Sequence, residues 1–128
     1  MKAGRKPQVL TDKEAVIMNI LWDNGTLFVR EILERYPEPK PHFNTIATTV
    51  RILEGKGYVT HEEIGTSHRF RTTAKKEDFR DRSLTEIIRN YFGNSYKNIV
   101  SALAEDEKIS ADELREIIDI IESKHGKK

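Results

Sequence analysis

Cysteine is absent from all 128 residues. Disulfides, thiolate metal sites, cysteine nucleophiles and thiol redox sensing are excluded with it, and the absence fits a reducing compartment. No apolar run approaches the roughly 20 residues that span a bilayer, and the opening MKAGRKP lacks the apolar stretch of a secretory signal. A soluble, cytoplasmic protein is expected. An excess of one charge is also missing, since 22 Lys and Arg stand against 21 Asp and Glu. The overall basic footprint of a non-specific nucleic-acid binder is therefore lacking, and any affinity for DNA must come from locally placed cations. No internal repeat appears, and no serine or lysine is framed by a nucleophile motif or phosphate loop. No catalytic residue and no cofactor are expected. The four histidines, His42, His61, His68 and His125, are scattered over loop, strand and tail with no i, i+4 pair, so no metal site is expected either.

What is present begins with helix signals. Thr11 followed by Glu14 is a capping box, in which each side chain satisfies the other's orphan backbone donor. The helix it opens carries Ala15, Met18, Leu21 and Trp22 at helical spacing and stops at Asn24-Gly25. A second helix runs through FVREILERY, with Phe28, Ile32, Leu33 and Tyr36 inward, and ends before Pro37. The proline-rich PEPKP reads as an ordered turn between two helices. The third helix starts at about His42 or Asn44 and reaches Lys56, with Ile46, Val50 and Leu53 facing inward.

After Gly57, YVTHEEIGTSHRFRTT reads as a β-hairpin, with strands near Tyr58–Glu63 and His68–Thr72 around Gly65-Thr66-Ser67. A brief strand near Thr26 and Leu27 would complete a small sheet. Three helices followed by a hairpin is the element order of a winged helix-turn-helix. From Lys75 the pattern is purely helical: Phe79, Leu84, Ile87, Ile88, Tyr91 and Phe92 before Gly93-Asn94, then Ser95 to Glu105, then a helix opened by the capping box Ser110 and Glu113. The last helix carries Leu114, Ile117, Ile118 and Ile121 along one side. About fifty residues bury too little surface to form a core of their own, so pairing with a second copy is expected through Ile87, Tyr91, Leu114, Ile117, Ile118 and Ile121.

The expected fold is mainly α with a small β-hairpin. A winged helix-turn-helix DNA-binding domain with a basic N-terminal arm occupies residues 1–73, and a helical dimerisation region occupies 74–128. In a helix-turn-helix the second helix of the motif enters the major groove; here that is the third helix. Its outer side carries Asn44, Thr45, Thr48 and Arg51, short polar groups and one cation in place of the Glu and Lys mixture of a solvated face. These are the candidate DNA-reading residues. His68, Arg69 and Arg71 on the wing, with Lys2, Arg5 and Lys6 on the arm, are candidate phosphate contacts, which add salt-dependent affinity and little sequence information.

Two blocks carry a family likeness: L-T-x-x-E-x-x-I-M-x-x-L-W from Leu10 to Trp22, and N-T-I-x-T-x-V-x-x-L-x-x-K-G-Y-V from Asn44 to Val59. With the spacing between them, the chain resembles the penicillinase repressor family of the BlaI/MecI type. The likeness runs from about Leu10 to Glu122, and beyond Thr73 it rests on Tyr91, Gly93, Ser95, Tyr96 and Lys97. The resemblance implies a homodimer on a two-fold related, double-stranded operator, clasped by its C-terminal helices. It also implies control of β-lactam resistance genes, relieved when a membrane-bound sensor and protease system triggers cleavage in the dimerisation region. The matching segment is IVSALAED, around Ser101, Ala102 and Leu103. The family's scissile Asn-Phe pair aligns with Ala102 and Leu103, so the sequence departs from it at both positions. Ile52 occupies a position where familiar members carry arginine, with Arg51 beside it. Copper sensing by a cysteine-rich tail, found in some relatives, is excluded by composition.

Two other readings stand beside this one. A winged helix used for protein contact would show negligible, salt-insensitive DNA binding. A regulator released by a small ligand held between the C-terminal helices would show a thermal shift with its effector and release without proteolysis.

Overall fold

The computed structural model describes residues 10–125. The basic arm of Lys2, Arg5 and Lys6 lies outside them. The chain forms two compact units that divide between Ser83 and Leu84.

The first unit begins with α1 (Asp12–Asn24), opened by the expected box. The Thr11 backbone N–H donates to Glu14 Oε1 at 2.9 Å, and the Glu14 N–H donates to Thr11 Oγ1 at 3.2 Å. Next come β1 (Leu27–Phe28), α2 (Val29–Arg35) and α3 (Phe43–Gly55), followed by the hairpin strands β2 (Val59–Ile64) and β3 (Ser67–Thr72). The sheet order is β1-β3-β2, with both pairings antiparallel. Helices and hairpin thus form a winged helix-turn-helix, as the element order implies.

The hairpin turn is tighter than the sequence reading has it. Strand pairing extends to Ile64 opposite Ser67, leaving only Gly65 and Thr66 in the turn. Gly65 sits at φ 62°, the left-handed value that the first residue of a II′ hairpin turn requires. Phe28 belongs to β1 and not to the second helix, because its backbone pairs with Arg69.

Residues from every element meet in one core. Ile32, Ile46, Val50 and Leu53 are fully buried, and Ile17, Met18, Leu21, Leu27, Val59 and Phe70 are nearly so. Burial at this level contributes roughly 1.5–3 kcal/mol for each large side chain. Trp22 is half-buried and reaches beyond the core, donating from Nε1 to the Ala74 carbonyl at 2.9 Å. Its ring lies 5.4 Å from that of Phe79, which also meets Tyr58 edge-on at 5.0 Å. This docking ties the first turn of α4 (Lys76–Phe92) to the winged helix, and the division between the two compact units falls within α4.

The second unit holds the rest of α4, α5 (Tyr96–Glu105) and α6 (Ala111–His125). The α4 helix stops where Gly93 and Asn94 both turn left-handed. Ser95 caps α5 by accepting from the Asn98 N–H at 3.1 Å. The second box is also formed, with 2.8 and 3.0 Å bonds between Ser110 and Glu113. Of the described hydrophobic residues in this unit, only Ile88 is buried.

Candidate nucleic-acid interface

The candidate interface begins with the turn between α2 and α3. Lys40 folds back and donates from Nζ to the carbonyls of Leu33, Glu34 and Tyr36 at 3.0, 2.9 and 2.6 Å. A cation at the C-terminal end of α2 satisfies its orphan carbonyls and matches its dipole. The turn is thereby tied to the end of α2 just before α3 begins. The sequence reading identified the turn but gave Lys40 no role.

α3 then sorts its residues by face. Ile46, Val50 and Leu53 anchor it inward at 0% exposure. Asn44, Thr48 and Arg51, spaced i, i+4 and i+7, are exposed on the other side, and Thr45 beside them is half-buried. Thr49 is turned onto its own helix, donating to the Thr45 carbonyl at 2.8 Å. The N-cap residue His42 makes no side-chain cap bond, so the first backbone N–H groups of α3 are left without a side-chain partner. Such donors at a helix start suit a phosphate oxygen. Phe43 and Ile52 flank this face, each 48% exposed.

The wing distributes its cations over two faces, because alternate strand residues point oppositely. His68 shares a face with the buried Phe70, whereas Arg69 and Arg71 lie on the other. Arg69 is held by an ion pair with Glu62, directly opposite on β2, and its guanidinium lies over the Phe28 ring at 5.9 Å. It therefore meets solvent as part of a neutral pair. Arg51 and Arg71 are exposed and have no ion-pair partner among the described residues. A cleft of about 510 Å³ separates α3 from the wing, with Phe43 and Arg51 on one wall and Ser67 and His68 on the other.

Two of the four histidines, His61 and His68, come together on the hairpin, where the sequence reading has all four scattered. The hairpin register sets Glu63 opposite His68, and His61 and His68 stack with centroids 4.2 Å apart. Separation along the chain hides this proximity, which depends on where the turn falls.

In the second unit, Tyr91, Ile117, Ile118 and Ile121 are exposed at 76%, 41%, 50% and 53%, and Ile87 and Leu114 are half-buried. Ile120, which the sequence reading passed over, is 58% exposed. Ser101, Ala102 and Leu103 lie within α5, the first two half-buried and Leu103 38% exposed. No helix among the described residues is long and apolar enough to cross a membrane.

Comparison with known proteins places these features beside others. The family model described as penicillinase repressor matches residues 10–123. The chain is 22% identical over 120 residues to the methicillin resistance regulatory protein MecI of Staphylococcus aureus strain N315, covering 93% of this chain and 98% of that protein. It is also 22% identical over 108 residues to a penicillinase repressor of Staphylococcus aureus, covering 82% and 84%. Among solved structures, the homodimeric winged helix-turn-helix DNA-binding domain of a possible ArsR-family transcriptional regulator from Mycobacterium bovis matches with a TM-score of 0.45. The identity is 16%, over 66% of this chain and 74% of that one.

Proposed function

Because this chain belongs to the penicillinase repressor family, we propose that it acts in the cytoplasm as a homodimer that binds a two-fold related operator and blocks transcription. It is a DNA-binding transcriptional repressor and not an enzyme. The observation that carries the reading is the outer face of α3, where Asn44, Thr48 and Arg51 project together from a helix whose other side is fully buried.

DNA reading is assigned to the winged helix and pairing to the helices that follow it. Arg51 contacts base edges, where a bidentate bond to guanine is worth roughly 1–3 kcal/mol of discrimination. Asn44 and Thr45 meet a phosphate at the start of α3, with Thr48 a turn further in. Arg71 and His68 follow the backbone from the wing, whereas Arg69 does so only where a phosphate displaces Glu62. One winged helix covers few base pairs, and two joined by symmetry read a palindrome. The exposed isoleucines of α6 and Tyr91 of α4 support such pairing, since apolar groups at that density gain by leaving water.

The names of the curated relatives support antibiotic-resistance genes as the regulated set. Relief by a membrane-bound sensor and protease system would act on α5 around Ser101, Ala102 and Leu103. That segment is helical, so cleavage requires local opening of the helix.

The test is selection of bound duplexes from random DNA by the purified chain at two salt concentrations. An inverted repeat should be recovered, with affinity falling as salt rises. Recovery of no enriched sequence at either salt would overturn DNA reading and turn the α3 face into a protein-contact surface.

A further inference from the structure

His61 and Glu63 are two residues apart on β2 and so share a face of the hairpin, and His68 stands directly opposite Glu63 on β3. The two imidazoles stack with 10° between their planes. His68 Nε2 lies 3.8 Å from Glu63 Oε2. Each of the three residues offers one ligand atom, and these atoms all lie within 4.8 Å of one another. We propose that His61, Glu63 and His68 form a binding site on the wing for a divalent transition metal ion of the zinc class, with the fourth coordination position open to water.

Two imidazole nitrogens and one carboxylate oxygen are a donor set that Zn²⁺ accepts at about 2.0–2.2 Å, and sites with three protein ligands leave one position free. Tetrahedral coordination at those bond lengths places the ligand atoms roughly 3.3 Å apart. Closing the present spacing to that calls for rotation of the exposed His68 and Glu63 side chains toward His61.

A second feature marks His61 as more than a surface histidine. Its Nδ1 lies 2.7 Å from Oε2 of Glu54, on the last turn of α3. With Nδ1–H donating to this carboxylate, Nε2 keeps the ring's free lone pair, and the ring orientation is fixed from outside the site. A carboxylate behind the imidazole is the usual outer partner of a metal-ligating histidine. Phe70 backs the pair from the core side, 5.5 Å from His61 and 6.3 Å from His68. Glu63 meets the ion directly, and Glu54 adds a second carboxylate from behind His61.

The experiment uses the full, tag-free chain, stripped with a chelator and titrated with Zn²⁺ against a chromophoric competitor; a parallel titration follows the visible absorption of Co²⁺. One ion should bind per chain, with the intense bands of four-coordinate Co²⁺. His61→Ala and His68→Ala should each weaken binding by about 100-fold or more, and Glu54→Gln, which removes only the outer partner, by about 10-fold. His42→Ala should change nothing. Circular dichroism and melting without metal establish that each variant is folded. No saturable binding by the parent chain, or unchanged affinity in both His61→Ala and His68→Ala, would overturn the site. No DNA enters the measurement, so its outcome is independent of the repressor reading.

Discussion

Isoleucine meets opposite fates in the winged-helix core and on α6. In the winged helix, Ile17, Ile32 and Ile46 are 1%, 0% and 0% exposed, whereas on α6 Ile117, Ile118, Ile120 and Ile121 are 41%, 50%, 58% and 53% exposed. The first unit has three helices and a sheet to close around its apolar residues. The second has helices alone, and although Ile88 is buried, the isoleucines of α6 meet water in one chain. The same side chain therefore stabilises a fold in one place and is free to stabilise an association in the other.

Core truncation should give the largest effect. Ile32→Ala should destabilise the winged helix by about 3 kcal/mol, within the range for truncating a buried isoleucine, at any protein concentration. Denaturant titration at two concentrations checks this. On α6 the matching change, Ile118→Ala, should leave the isolated chain's stability almost unaltered, and Ile118→Asp should shift the protein to monomers in sedimentation velocity. If Ile118→Ala cost the monomer as much as Ile32→Ala, the contrast between the units would be broken.

Next in size is Arg51→Ala, which should weaken binding to the selected duplex by about 2 kcal/mol while the melting temperature stays put. Fluorescence anisotropy and a thermal melt separate the two readouts. Undiminished affinity would show that α3 does not read bases through this residue.

A smaller and pH-dependent effect belongs to Glu14. Its carboxylate is buried and lies 2.8 Å from Lys56 Nζ. Burial alone would raise its pKa; the hydrogen bonds from Lys56 and Thr11 and the charge of Lys56 outweigh that and hold it below the ordinary value. A carboxyl more acidic in the folded than in the unfolded chain stabilises the fold above the unfolded pKa. That increment disappears as pH falls through the folded pKa. Glu14→Gln should cost about 1 kcal/mol near neutrality, and the gap to the parent should close in acid, as followed by urea titration across pH.

The smallest effect is expected for Arg71→Ala. It should lower affinity nearly equally for all sequences and reduce the salt slope by about one.

Local signals in the sequence carried much of this architecture. The boxes Thr11/Glu14 and Ser110/Glu113 both form, because capping needs only residues three apart. The stripe Ile46, Val50 and Leu53 is buried as its spacing implies. What escaped depends on long-range placement. Ile17 and Ile20 enter the core because α1 is covered on more than one narrow stripe. Lys40 finds its carbonyls only once the proline turn has folded. Arg69 looks like a free cation until register sets Glu62 opposite it, and the same register assembles His61, Glu63 and His68.

The most direct measurement is the affinity of the chain, and of Ile118→Asp, for a duplex carrying the selected inverted repeat and for one carrying a single half-site. A dimer that reads DNA with two α3 helices predicts that the parent prefers the full repeat by about 100-fold or more, as expected when a second module adds without new contacts, and that Ile118→Asp loses this preference while keeping half-site affinity. Equal affinity of the parent for both duplexes would contradict it.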